Sequence, residues 1–182
     1  MESEQPHFLK STMNYGLITG LVLVVYSFII YIVGQSMNDV MNNITLALLA
    51  VCIYLTTKHF RDKKLDGYLS YGRGLGVGTL TGVFAAVLLA FFLYLQIKFI
   101  DPGLIDKQLD AAQVKLLERG LSEDEVEKAT ILSKKLMTPG MMFITSIVTF
   151  GLYSFIISLI TSAFLKKIKD PFASQMDGID NN

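Results

Sequence analysis

Four stretches of this chain, residues 15–34, 40–57, 75–97 and 141–165, contain no Lys, Arg, Asp or Glu, and each is 18 to 25 residues long. At about 1.5 Å of rise per residue, helices of that length cover a hydrocarbon core roughly 30 Å thick, with tilt absorbing any excess. A bilayer core has no water to satisfy backbone amides, so such stretches form helices, which bond their own. The pattern predicts an all-α integral membrane protein with four transmembrane helices.

The charged residues support this by where they lie. They make up 18% of the chain against 52% apolar residues, and they fall almost wholly between the four stretches. Sixteen basic and sixteen acidic side chains cancel, so no long-range positive field favours a nucleic-acid partner. Cys52 is the only cysteine, which excludes an intrachain disulfide or a cysteine-cluster metal site. Inside an apolar stretch it reads as a small packing residue.

The leader MESEQPHFLKSTMN has two acids and one Lys, and the apolar run after it is 20 residues long. A cleaved signal has a basic leader and an apolar run of about 7 to 15 residues, so residues 15–34 read as a retained first span. Residues 36–39 carry no Lys or Arg, whereas 58–74 hold Lys58, Arg61, Lys63, Lys64 and Arg73. By the positive-inside bias the second connection is cytoplasmic, and with four spans both termini are too. Lys166, Lys167 and Lys169 after the fourth span agree, and residues 169–182 read as a flexible cytoplasmic tail. The seven basic residues of the long third gap are matched by eight acids, and long segments cross with little regard for charge.

That third gap, residues 98–140, predicts an extracytoplasmic helical hairpin. Asp101-Pro102-Gly103 reads as a turn, and Ile105, Leu109, Ala112 and Leu116 are spaced as the apolar stripe of a helix over 104–119. Gly120 suits its C-terminal stop. Ser122 and Glu125 form an S-x-x-E capping box that opens a second helix to about Met137, and Thr138-Pro139 reads as N-cap and N1 of the fourth span. The apolar stripe either packs on the end of the bundle or docks another protein or a second copy. The hairpin is mildly acidic, unlike helices that bind anionic lipid.

Inside the membrane the sequence shows packing chemistry. Gly74, Gly78, Gly82, Ala86 and Ala90 recur every four residues, a ridge that lets another helix approach closely and favours a right-handed crossing. Gly16 and Gly20, with Ser27 and Gly34 at seven-residue intervals, make the first and third spans plausible neighbours. Gly151, Ser154, Ser158 and Ser162 form a small hydroxyl-bearing stripe in the fourth span, with Thr145 and Thr149 above it. Such hydroxyls line a polar path or bond back to their own helix. Ion-coupled pumps usually hold ionisable groups at membrane depth, and the four stretches hold none.

Other patterns carry little. Residues 71–78 are glycine-rich, but their spacing matches neither G-x-G-x-x-G nor G-x-x-x-x-G-K, so no nucleotide is implied. His7 and His59 lack partners for a metal shell and read as solvated. Asp62 and Asp66 beside Lys63 and Lys64 read as surface charge. The basic second connection, with Phe60, Tyr68 and Tyr71, anchors the chain or meets anionic headgroups. Tyr15, Tyr71 and Tyr94 suit the aromatic belt. No cofactor or metal is implied.

The run Gly67-Tyr68-Leu69-Ser70-Tyr71-Gly72-Arg73-Gly74 leading into a glycine-bearing span, and Phe99-Ile100-Asp101-Pro102-Gly103 opening the hairpin, resemble an uncharacterised family of four-span bacterial membrane proteins, domain of unknown function 4199. The resemblance extends over roughly residues 8–168. It implies a bacterial cytoplasmic membrane and the same four-helix layout, and it supplies no reaction, ligand or catalytic residue.

The expected architecture is one membrane domain over residues 1–168. The leading functional expectation is a non-enzymatic component of the membrane that works through helix packing and its hairpin, with the lipid bilayer, a second copy or another membrane protein as partner. The alternative is a small transporter or channel subunit for a neutral or amphipathic solute, using the Ser and Thr stripe. A lipid enzyme ranks third, because only scattered acids such as Asp101 and Asp106 and scattered lysines stand at headgroup level, and turn and helix-start roles explain both acids.

Overall fold

The computed structural model describes residues 5–168, with side chains from Phe8 onward. The tail at 169–182, Lys169 and the His7 side chain lie outside the described residues. Six α-helices follow one another: α1 Gln5–Ile32, α2 Asp39–Lys64, α3 Tyr71–Leu95, α4 Leu104–Glu118, α5 Glu123–Leu136 and α6 Pro139–Leu165. A π-helical turn, Gln96–Ile100, extends α3. The stretches Phe8–Ile32, Asp39–Lys64, Tyr71–Ile100 and Pro139–Leu165 are long and apolar enough to cross a bilayer. In the most apolar window of the last, only 11% of residues are buried inside the protein. Ile156, Ile160 and Phe164 stand outward at 52%, 57% and 81% exposure, a surface that lipid covers and water would not tolerate.

The helices begin and end at local signals. Asn38 caps α2, its Oδ1 accepting from Val40 N at 2.9 Å. Thr138 caps α6, its Oγ1 accepting from Met141 N at 3.3 Å, with Pro139 in the first turn where no amide proton is needed. Glu125 Oε2 accepts from the Ser122 amide at 2.9 Å and hydroxyl at 2.8 Å at the start of α5. Gly120 follows α4 at φ +87°, the left-handed stop that glycine adopts without strain.

Helix boundaries run beyond the charge-free stretches. The second helix continues past Thr57 through Lys58, Arg61, Lys63 and Lys64, so half of the basic connection is helical, its cations at the C-terminal end where the helix dipole favours them. The third begins at Tyr71, so Gly72 and Gly74 are helical rather than loop.

In the bundle, α3 packs against α1 and α6 and also touches α2, which leans across all three. Its core gathers Leu23, Leu49, Ile53, Ala85 and Leu89, wrapped by Val24, Leu48, Phe150 and Ile157. The hairpin α4–α5 sits at one end. Asp106 of α4 pairs with Lys134 of α5 at 2.9 Å, and Lys115 of α4 pairs with Asp39 at the start of α2 at 2.5 Å. Of the expected stripe of α4, Leu109 is buried and Ile105 and Leu116 are half-buried, whereas Ala112 is exposed and Leu104 joins the buried side. Leu104 turns inward because it reaches over the end of the bundle.

Candidate functional site

The small-residue ridge meets the hydroxyl stripe in register. A β-carbon on Gly74 would lie 2.9 Å from Ser162 Oγ, one on Gly78 would fall on Ser158, and one on Gly82 would fall on Ser154. Each step of four along α3 matches a step of four back along α6. Ser154 Oγ donates to Phe150 O at 2.7 Å and Ser158 Oγ to Ser154 O at 2.6 Å, so these hydroxyls bond their own helix. Ser154, Ser158 and Ser162 have no exposed surface. The stripe is a dry seam and leaves no room for a solute path.

Another face of α3 takes α1. A β-carbon on Gly16 would stand 2.9 Å from Thr81 O and would collide with Phe84, while one on Gly20 would stand 2.9 Å from Leu88 Cβ and 3.1 Å from Ala85 Cα. Ala86 and Ala90 are buried at 2% and 0% exposure. Two residues of the expected ridges lie elsewhere. Gly34 falls beyond α1, at φ +73° with nothing near it, and serves the turn. Gly151 is in ordinary contact only, its nearest neighbour Val83 Cγ2 lying 3.8 Å from a β-carbon. Thr145 and Thr149 face outward, and the lining of α6 continues instead through Phe150 and Ser146.

Above the seam, toward the hairpin, the helices part. A cavity of about 470 Å³ opens there, bounded by Ser27 and Ile30 of α1, Asn42, Asn43 and Thr45 of α2, Leu89, Phe92 and Leu93 of α3, Gln96 of the π turn, Leu104 and Gln108 of α4, and Ser146, Phe150 and Tyr153 of α6. All four spans and α4 contribute to it. Among the described residues no Lys, Arg, Asp, Glu or His lines it. The π turn places its polar floor: the Asp101 amide donates to Gln96 O at 2.7 Å, the helix widens, and Gln96 and Ile97 turn inward while Phe99 turns out. Such turns often mark functional positions. Gln96 is 6% exposed as a whole residue and lines this cavity. A carboxamide that faces a cavity offers both donors and an acceptor to a group from outside.

The neighbouring charges are already engaged. Asp101 holds Lys107 at 2.6 Å, and this partner raises the Lys107 pKa above its ordinary value. Asp106, the other acid near headgroup level, is held by Lys134. His59 is exposed and its ring meets that of Tyr15 edge-on, centroids 5.8 Å apart. Among the described residues no three of His, Cys, Asp and Glu converge to hold a metal.

Of the cavity residues, only Ser27 was singled out by sequence, and as a packing residue. The signal was present: Gln96 is the one carboxamide in the charge-free stretch 75–97, and Asn42-Asn43 is an amide pair inside 40–57. Attention to charge passes over neutral amides, although these also need partners in hydrocarbon.

A family model described as "Protein of unknown function (DUF4199)" matches residues 14–167. No curated protein and no solved structure gives a match.

Proposed function

The chain belongs to the DUF4199 family, and from that premise we propose that this multi-pass membrane protein is a non-enzymatic binder, of the small-carrier or channel-subunit kind, for an uncharged amphipathic solute. The observation that carries the reading is the cavity of about 470 Å³ with Gln96, Gln108, Asn42 and Asn43 among its lining and no charged residue among the described ones. Carboxamides and hydroxyls match a neutral polar head, and Ile30, Leu89, Phe92 and Leu93 match an apolar body. An ionised group there would find no counter-charge among the lining residues, so an uncharged solute is favoured. A volume of about 470 Å³ lies within the usual range for small-molecule sites. In this reading the membrane is the bacterial cytoplasmic one, with both termini inside and the hairpin outside.

The test is retention of a monoacylglycerol by the purified full chain in native mass spectrometry. Wild type is expected to retain it, and Gln96→Leu, which keeps the volume and removes the hydrogen bonds, to bind about fivefold more weakly. Equal retention by a folded Gln96→Leu protein rejects the reading.

A second reading, association with another membrane protein or a second copy, rests on the hairpin alone, because the glycine ridges are occupied within the chain. Val114, Leu117, Ile131, Leu132 and Leu136 stand 46% to 61% exposed on α4 and α5, outside the spans. Cross-linking in native membranes tests it: a strictly monomeric species with no captured partner counts against association.

A further inference from the structure

The cavity beneath the hairpin is covered above and open to one side. Leu104 and Gln108 of α4 lie over its hairpin end, the first buried and the second half-buried. Below, Leu49 and Ile53 of α2 pack with Phe150 and Ile157 of α6 and shut off the lower bundle. Among the described lining residues only Asn42, Asn43 and Tyr153 are exposed, the first two on α2 and the third on α6. The mouth therefore lies between α2 and α6. Near it stand Ile44 of α2 and Leu152 and Ile156 of α6, at 42%, 60% and 52% exposure, so the mouth opens in a surface that hydrocarbon covers.

The mouth is graded across the membrane. Both helices start at the hairpin end: α2 at Asp39, which pairs with Lys115 of α4, and α6 at Pro139, which follows the hairpin. Asn42 and Asn43 stand within about one turn of the start of α2, whereas Tyr153 stands about halfway along α6, which ends at Leu165. On the third span, Gln96 lies at the hairpin end and Leu89 about two turns deeper. The carboxamides thus gather near headgroup level, and the lining turns to Leu89, Phe150 and Tyr153 with depth. A lipid in the hairpin-side leaflet has the same polarity, head outward and chain inward.

We propose that the cavity takes its solute sideways from the hairpin-side leaflet and that this solute is a glycerolipid with an uncharged head. Its glycerol hydroxyls lie among Asn42, Asn43 and Gln96, and its acyl chain leaves between α2 and α6 past Tyr153. The inference rests on the binding reading above and adds the source of the solute and its orientation. A head that slides in at its own depth crosses no hydrocarbon, and a chain that stays among lipid chains exposes no apolar surface to water, so neither transfer cost arises. Carboxamides offer donors and acceptors to hydroxyl and ester groups alike. Entry from water through the hairpin end would have to displace Leu104, which is 4% exposed.

The chain contains no Trp, so a single introduced indole reports its own surroundings. Full-length Tyr153→Trp protein in phosphatidylcholine vesicles is titrated with a monoacylglycerol brominated midway along its acyl chain. Quenching is expected to saturate at low mole fraction, with an initial slope about fivefold that of Phe155→Trp, whose site is 42% exposed and outside the cavity lining. Excess unbrominated monoacylglycerol should restore the emission. Asn43→Trp, at the head end, should saturate in the same range with shallower quenching, and its saturation carries the test alone where Tyr153→Trp does not fold. If both reporters follow Phe155→Trp, with quenching in simple proportion to mole fraction, while the purified protein still retains monoacylglycerol through Gln96, sideways entry is overturned and the binding reading stands. Absence of retention overturns both. Deeper quenching at Asn43→Trp than at Tyr153→Trp reverses the orientation and overturns the proposal.

Discussion

Gly82 of α3 and Ser154 of α6 meet so closely that a β-carbon on the glycine would coincide with the serine hydroxyl. Overpacking a seam of this kind costs about 1–3 kcal/mol or more. Gly82→Ala is therefore expected to lower stability by at least about 2 kcal/mol. Ser154→Gly in the same molecule makes room for the methyl group and should restore more than half of that loss. Unfolding in mild detergent measures both, and additive effects in place of rescue would show that the two residues do not share a contact.

Thr81 has no exposed surface, and its hydroxyl has no partner. Thr81→Val keeps the shape and removes the unsatisfied group, so the variant should be more stable by about 1 kcal/mol. A large loss of stability on thermal unfolding would show that this hydroxyl is bonded after all.

The Lys115–Asp39 pair joins the hairpin to the bundle between two side chains 45% and 70% exposed. Solvent screens such a pair, and its removal should cost less than about 1 kcal/mol of global stability. The effect belongs on the hairpin: in Asp39→Asn, amide exchange in α4 should quicken at low salt while the seam stays protected. Raising the salt should narrow the difference from wild type.

Two hydrogen bonds from Ser122 hold the Glu125 carboxyl below its ordinary value of 4.5. A depressed pKa means that the charged form is favoured by folding, so this contribution is complete above the ordinary value and disappears as the pH falls through the lowered one. Exchange of the first-turn amides of α5 should therefore accelerate on acidification below about pH 4. Glu125→Gln should remove the pH dependence of that region, and a response as steep as in wild type would assign it to another group.

Much of the fold was legible along the chain because its causes are local. Ser122 with Glu125, Thr138 with Pro139, and Gly120 act within a turn of themselves, and the structure has each in its capping or stop role. The spacing of Gly74, Gly78 and Gly82 marked a close approach but not the partner, since Ser162, Ser158 and Ser154 lie more than seventy residues away in sequence. Gly34 illustrates the limit of periodicity: it continues a seven-residue interval on paper, yet α1 has already ended at Ile32.

Solvent choice was decided by sequence alone, because transfer of charge into hydrocarbon is costly enough that runs of 18 or more uncharged residues admit one outcome. Which helix faces which was decided only in three dimensions. Lipid is as apolar as leucine, so hydrophobicity does not rank one neighbour over another, and the selection falls to steric fit between Gly82 and Ser154 or Gly20 and Leu88. The cavity likewise belongs to tertiary structure: a π turn places Gln96 inward where four spans diverge, and no local pattern along the chain specifies that divergence.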